Sequence, residues 1–201
     1  MDSFAVVCLP ALLDELDGRF AETRVAATVD TSHNLARQLS EGLLDIAVLS
    51  TPPEHDNVAL ELLGRQTVEW FASPKLDMPR EFVTDAMLLR QRIFSTPAPS
   101  NLHTLTTNAL SGNRELGLRL NVCNNLGAIL NLVEAGTGIS ILPGRLLHAQ
   151  LNAGTVHLLR THSRLPMQDV FIGTNKGAIV RALPQVAQMI RKVSVDVAFC
   201  G

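Results

Sequence analysis

Asn121-Val-Cys-Asn-Asn-Leu-Gly-Ala-Ile-Leu-Asn-Leu-Val-Glu-Ala-Gly-Thr-Gly-Ile-Ser-Ile-Leu-Pro143 reads as strand, helix, tight turn and buried strand. Leu120 and Val122 end an apolar strand. Asn124 or Asn125 is an N-cap, because its side-chain oxygen can take an orphan amide of the first helical turn. Leu126, Ile129, Leu130 and Val133 recur at helical spacing and form one apolar face. Gly136 stands where a helix ends in the left-handed region. Ile139, Ile141 and Leu142 make a short apolar run that Pro143 closes. A strand feeding a helix feeding another strand is a crossover unit. Its Asn-Asn loop falls at the carboxyl end of a parallel strand, where open α/β sheets hold ligands.

The same grammar extends in both directions. Leu9, Leu12, Leu13, Leu16 and Phe20 share a helical face, with Pro10 suited to the first turn. Residues 25–29 form a short β-branched strand. Leu35, Leu39 and Leu43 then mark a helix capped by the cluster Asp30-Thr31-Ser32, and Gly42 ends it. Asp45 to Ser50 is a buried strand stopped by Pro52-Pro53. Residues 67–72 form a strand with Trp70 and Phe71 on opposite faces. Ile93 to Ser95 is a short strand and Thr96 to Ser100 a loop. A helix over 102–110 is capped by Ser100 or Asn101 and ended by Ser111-Gly-Asn113. Residues 145–150 form a short helix, 156–159 a strand, 163–166 a connector and 169–173 a strand. Pro184 opens the last helix, and the alternation at Val195, Val197 and Phe199 reads as either a strand or a frayed tail.

Two segments carry a family resemblance. Leu39-Ser-Glu-Gly-Leu-Leu-Asp-Ile-Ala-Val48 and Val133-Glu-Ala-Gly-Thr-Gly-Ile-Ser-Ile-Leu-Pro143, at this separation, resemble the effector-binding domain of LysR-type transcriptional regulators. The resemblance covers nearly the whole chain. It implies an α/β, two-lobed, periplasmic-binding-protein-like (type 2) fold, each lobe a mostly parallel sheet flanked by helices. Lobe I would comprise residues 1–70 and 167–201, and lobe II residues 71–166. It further implies a cytoplasmic effector sensor, not an enzyme, with a small molecule held in the cleft between lobes. A homodimer or higher oligomer would form through Pro10 to Phe20 and Pro184 to Val193, with no membrane contact. DNA would be contacted only through a domain missing from this chain. The sequence departs from the family in two ways. Only Met1-Asp-Ser3 remains of the first strand, and no helix-turn-helix or linker helix is present, as in a fragment, a truncated gene product or an excised domain. The rival readings are a solute-binding protein for transport and an enzyme on a related two-lobed scaffold.

Composition and chemistry narrow the field. Hydrophobic residues make up 46% and charged residues 18%, a globular balance. The net charge of -2 gives no electrostatic footprint for nucleic acid. Cys8, Cys123 and Cys200 are far apart and odd in number, which fits a reducing compartment. With no basic stretch ahead of a long apolar core at the start, no signal peptide is expected, and no apolar run is long enough to span a bilayer. The histidines, His33, His55, His103, His148, His157 and His162, form no i, i+4 pair, so no metal ligand set is expected. No nucleophile elbow or phosphate loop is present, and no cofactor is expected. Cys123 reads as a small core residue rather than a nucleophile.

What remains is a set of hydroxyls and amides at strand ends and helix starts. Ser3 precedes the first helix, and Thr31 and Ser32 precede the second. Ser95, Thr96 and Ser100 lie in the middle block, and Asn124, Asn125 and Thr137 flank the opening helix. Each has an ordinary role as a cap or turn residue. Together they would suit a small polar or anionic metabolite.

Overall fold

The computed structural model describes residues 1–22, 24–52, 56–79, 81–111, 119–162 and 164–201. His55, Pro53, Gly112, Asn113 and Ser163, which figure in the sequence reading, lie outside the described residues. The chain divides into two compact units, Met1–Gln66 with Gln168–Gly201, and Thr67–Met167. The first unit therefore stops at Gln66, and residues 67–70, expected in lobe I, belong with the second. The reason is that strand β3 (Val68–Ala72) pairs only with strands of the second unit.

In the first unit, α1 (Asp2–Val7) and α2 (Leu9–Arg19) are followed by α3 (Ser32–Ser40), β1 (Ile46–Leu49) and β2 (Val58–Gln66). The chain returns as β8 (Gln168–Asn175) and α8 (Leu183–Asp196). The sheet order is β1-β8-β2, and both pairings are antiparallel. The expected mostly parallel sheet is not what this unit contains. Nor do residues 25–29 form a strand. They are exposed, and no backbone hydrogen bond joins them to another described residue. A β-branched pattern makes a strand possible, but a strand exists only with a partner edge. Met1-Asp-Ser3 is no strand remnant either, since Asp2–Val7 is helical and buries Ser3 and Phe4.

Alternate residues of β1 enter different cores, as the period of two requires. Ile46 and Val48 face Phe4, Leu12, Leu16 and Ile190. Ala47 and Leu49 face Leu35 and Leu39. The C-terminal alternation is helical as far as Asp196, which leaves Val195 74% exposed. Past the helix, Ala198 turns through a positive φ of 48°. Phe199 then packs edge-on against Phe4, and Gly201 exchanges two backbone hydrogen bonds with Arg65, at 2.9 and 3.0 Å. This docking buries Cys200 in part and pushes its thiol pKa up.

The second unit contains β3, α4 (Asp85–Arg90), β4 (Ile93–Ser95), α5 (Asn101–Ala109) and β5 (Leu120–Val122). It continues with α6 (Leu126–Glu134), β6 (Ile139–Pro143), a 3-10 turn (Gly144–Leu147), α7 (His148–Ala153) and β7 (His157–Leu159). Its sheet order is β5-β4-β6-β3-β7. β4 runs parallel to both β5 and β6, whereas β3 is antiparallel to β6 and β7. The sheet is thus mixed rather than mostly parallel. Trp70 and Phe71 point to opposite faces and are both buried, at 3% and 1% exposure, so both faces of this sheet are covered.

The turn that ends α6 recurs at the end of α3. Gly136 has φ +80°, its amide meets the Val133 carbonyl at 2.9 Å, and the Thr137 amide meets Leu132 at 3.1 Å. Gly42 has φ +73°, with Gly42 bonded to Leu39 at 3.2 Å and Leu43 to Gln38 at 2.9 Å. In both cases the paired bonds satisfy carbonyls that a helix end leaves bare.

Candidate functional site

In the second unit the C-terminal ends of two adjacent parallel strands each feed a helix. β4 leads through residues 96–100 into α5, and β5 leads through residues 123–125 into α6. Because Ser95 pairs in register with Val122, the two helix N-termini rise from one end of the sheet. Ser100 caps α5 by accepting the His103 amide at 3.1 Å, and Asn125 caps α6 by accepting the Ala128 amide at 2.8 Å. The next amides back, those of Asn101, Leu102, Leu126 and Gly127, have no bond to another described residue. Such amides and the partial positive charge of a helix start favour an anionic or carbonyl-bearing group.

Hydroxyls hold this corner together. Thr96 and Ser100 share a hydrogen bond of 2.6 Å. Ser95, only 2% exposed, donates to Thr106 at 3.4 Å, and Thr106 donates to the Leu102 carbonyl at 2.7 Å. The Ser95 carbonyl accepts from the Cys123 amide at 2.9 Å, which ties the two loops together. His103 Nδ1 lies 3.1 Å from the Thr96 carbonyl. A carbonyl only accepts, so Nδ1 carries the proton in this bond, and in the neutral ring Nε2 keeps its lone pair.

The first unit has a smaller cluster of the same kind. Thr31 caps α3 by accepting the Asn34 amide at 3.3 Å. Ser32 Oγ lies 2.9 Å from Ser50 Oγ and accepts the Ser50 amide at 2.9 Å. Asp30 Oδ1 accepts from the Thr31 amide at 2.7 Å and from Asn34 Nδ2 at 2.9 Å.

The structure thus brings Ser95, Thr96, Ser100 and Asn125 to one end of the second unit's sheet, and Thr31 and Ser32 together in the first unit. Asn124 is exposed beside Asn125, which is the residue that caps the helix. Two candidates are differently placed. Ser3 does not precede its helix but is buried inside α1. Thr137 donates its hydroxyl to the Leu132 carbonyl at 2.7 Å, closing the C-terminal end of α6. It stands just before β6, whose Ile139 pairs with Ile93 at the start of β4. Thr137 is therefore at the opposite end of the parallel strands from Ser95. Sequence reasoning took Asp30 only as part of the capping cluster and missed Asn34, Ser50, His103 and Thr106 as members of these clusters. The strand-end rule could have found Ser50, which directly follows β1. Thr106 carried no signal, since nothing in a mid-helix threonine says which neighbour its hydroxyl meets.

Chemically, these clusters can hold a ligand through neutral donors. Among the described residues no group of three or more His, Cys, Asp or Glu side chains is placed to hold a metal ion. No described helix is long and apolar enough to cross a membrane.

Known proteins match this description. The OxyR2 regulatory domain of Vibrio vulnificus, a cysteine-to-serine variant, superposes with a TM-score of 0.75 at 17% identity, covering 96% of this chain and 92% of that one. Full-length OxyR of Pseudomonas aeruginosa gives a TM-score of 0.75 at 17% identity over 98% of this chain and 66% of that one. The regulatory domain of MetR, a LysR family regulator from N. meningitidis, gives 0.71 at 14% identity, covering 96% and 89%. At these identities the likeness shows the fold, an α/β fold of the periplasmic-binding-protein kind. In sequence, the HTH-type transcriptional regulator HdfR of Yersinia pestis (strain Pestoides F) is 33% identical over 69 residues, 34% of this chain. The chain covers 24% of that relative's length. The family profile of the LysR substrate binding domain matches residues 1–195, and the chain belongs to that family.

Proposed function

We propose that this chain is the effector-sensing module of a LysR-type transcription factor and that its effector is a small polar or anionic metabolite. The family match over residues 1–195 carries the reading. The two helix starts above β4 and β5 support the choice of ligand, because they supply unspent backbone donors without a basic side chain. In this reading Thr31, Ser32, Ser95, Thr96, Ser100, Asn124 and Asn125 are the effector contacts. A domain outside this chain contacts DNA in the cytoplasm, and two or more copies assemble. Regulation rather than turnover fits the side chains available, since no nucleophile with an adjacent base stands among the site residues.

Calorimetric titration against a panel of small carboxylates, phosphates and neutral polar metabolites tests the proposal. Once a binder is found, Thr31→Val and Ser100→Ala should each weaken it about tenfold or more, the loss expected for one hydrogen bond to a charged ligand. Thr137→Val, at the other end of the sheet, should leave affinity unchanged. A binder indifferent to both Thr31→Val and Ser100→Ala would remove these clusters from the site.

A further inference from the structure

β2 is an edge of the first unit's sheet, and its middle is open to solvent. Residues 59–62 are all exposed, Leu60 at 40% and Leu62 at 52%. The register shows which backbone groups are unspent. The Asn57 carbonyl faces β8 and accepts the Lys176 amide at 2.9 Å, while the Asn175 amide turns the other way, to the Asp45 carbonyl at 3.1 Å. Successive residues of an antiparallel strand turn their backbone groups to opposite sides. Val58 is in register with Asn175, so Val58, Leu60 and Leu62 point their amides and carbonyls away from β8. A bulge between Leu62 and Gly64 resets the alternation, and Arg65 also points outward. There Gly201 takes both groups, at 2.9 and 3.0 Å. Residues 58, 60 and 62 have no such backbone partner among the described residues.

We infer that residues 58–62 are a contact between two copies of this chain, which pair their β2 edges antiparallel about a two-fold axis at Leu60. In that register Leu60 exchanges both backbone bonds with the second copy's Leu60, and Val58 does the same with the second copy's Leu62. Every free backbone group of the stretch is then satisfied. The side chains agree with the backbone. Leu62, Phe171 and Leu49 stand in one row across the sheet, so Val58, Leu60 and Leu62 share that face. The contact sets Leu60 against Leu60 and Val58 against Leu62, apolar cross-strand pairs beside the half-buried Phe171. On the other face Ala59 meets Glu61, whose carboxylate Arg191 already holds. Neighbouring registers are worse. An axis at Glu61 sets two glutamates directly opposite each other, and an axis at Ala59 sets Leu62 against Asp56. This fit to itself is what selects a second copy over a foreign peptide. Between 58 and 62 the edge carries neither the Lys nor the Pro that guards many edge strands. A two-fold contact closes after two copies and joins their sheets in the order β1-β8-β2-β2-β8-β1. Five residues a side cover well under the ~800 Å² per partner of a standard interface, so the contact is weak, on the order of 100 μM.

Nothing in this contact depends on an effector, so it is tested on the chain alone. Residue-resolved amide exchange is compared at about 20 μM and about 1 mM protein, either side of that affinity. The amides of Val58, Leu60 and Leu62 should exchange at least threefold more slowly at the higher concentration, with a smaller gain at Ala59 and Glu61, which already bond to β8. Leu60→Pro removes an outward amide without taking a bond from β8, and Leu60→Lys sets two cations against each other at the axis. Each should abolish the concentration-dependent protection at Val58 and Leu62 and weaken self-association in sedimentation at least tenfold. Each should also keep the urea midpoint of the dilute wild-type chain, and Leu60→Lys carries the test if the proline variant unfolds. Val195→Lys, at a 74% exposed position on α8, should change neither readout. Exchange independent of concentration up to 1 mM, or protection that does not alternate along the strand, would overturn the inference. So would association that Val195→Lys removes and the Leu60 variants leave intact, which assigns it to the helices. Equal protection of the dilute chain by about 1 mM of a Val-Thr-Val-Thr-Val peptide, the same concentration as the second copy, would make the edge a general peptide acceptor instead.

Discussion

The two units use the same local devices and bury them differently. Each has a helix that starts on a polar cap and ends at a left-handed glycine, and each sets hydroxyls at a helix start, that of α3 in the first unit and that of α5 in the second. In the second unit these devices rest on a five-stranded sheet inside one continuous apolar core, and Ser95, Thr96 and Thr106 are buried at 2%, 7% and 0% exposure. In the first unit a three-stranded sheet separates two smaller cores, and Thr31, Ser32 and Ser50 remain half-buried. Polar groups fixed in a packed interior are pre-organised for a ligand, whereas those at a thinly covered edge are free to adjust. The second unit's polar cluster should therefore be the more rigid and the first unit's the more adaptable.

The largest effects should come from cutting the cores. Ile129→Ala removes a side chain with no exposure from the second unit's single core, and should cost about 4 kcal/mol, within the range for deleting large buried aliphatics. Leu39→Ala does the same in the small core beneath α3 and should cost nearer 2 kcal/mol, because a small cluster collapses more readily around a truncated side chain. Trp70, the lone tryptophan, sits in the second unit. Its fluorescence reports that unit, and far-UV circular dichroism reports both. In urea, Ile129→Ala should shift the fluorescence midpoint strongly, and Leu39→Ala should lower the dichroism midpoint more than the fluorescence midpoint. Equal shifts of both signals in both variants would mean that the units unfold as one, and the contrast drawn here would fall.

Much of this was legible in the residues themselves. Gly42 and Gly136 mark helix ends and both have positive φ, and of the cap alternatives Asn124 or Asn125 and Ser100 or Asn101 it is Asn125 and Ser100 that cap. These are local signals, set within about five residues by steric and hydrogen-bonding limits. The misreadings involve partners distant in sequence. Residues 25–29 have strand-forming side chains but make no backbone hydrogen bond to another described residue. Ser3 looked like a residue ahead of a helix because Pro10 looked like the helix start, yet Asp2–Val7 is already helical, so Ser3 lies inside. Thr137 has the chemistry of a ligand contact, but parallel pairing of β4 and β6 sends it to the far end of the sheet. Parallel sheets were expected from the family, and the antiparallel partner β8 comes from 120 or more residues downstream of β1, beyond any local rule.

A middle-sized effect separates the units through glycine. A Cβ on Gly138 would lie 2.3 Å from the Arg92 carbonyl oxygen, which already accepts the Ile139 amide at 2.9 Å. Backbone held in a sheet cannot retreat, so Gly138→Ala should cost about 3 kcal/mol, the upper end of overpacking penalties. A Cβ on Gly173 of β8 would meet Leu39 Cδ2 at 2.7 Å. That atom ends a flexible side chain in the looser unit, and Gly173→Ala should cost about 1 kcal/mol. Thermal unfolding of the two variants should give clearly different midpoints, Gly138→Ala the lower. A reversed order would show that the first unit is packed at least as rigidly as the second.

The smallest contrast is between the caps. Asn125 accepts the Ala128 amide at 2.8 Å, whereas Thr31 accepts the Asn34 amide at 3.3 Å, near the outer limit of a useful bond. Loss of an N-cap side chain costs about 0.5–2 kcal/mol, and the shorter bond belongs to the half of that range above 1. Asn125→Ala should therefore cost about 1.5 kcal/mol and Thr31→Ala about 0.5 kcal/mol. Thr31 has a further reason for a small loss, because Asp30 Oδ1 already holds Asn34 through its side chain at 2.9 Å and keeps the helix start in place after the hydroxyl is gone. The double variant Asp30→Ala with Thr31→Ala should then lose more than the two single changes added together, since each cap covers for the other. Urea midpoints of the three first-unit variants measure this directly. Simple additivity would show that Asp30 and Thr31 act independently, and that the first unit's site has no built-in redundancy to set against the rigidity of the second.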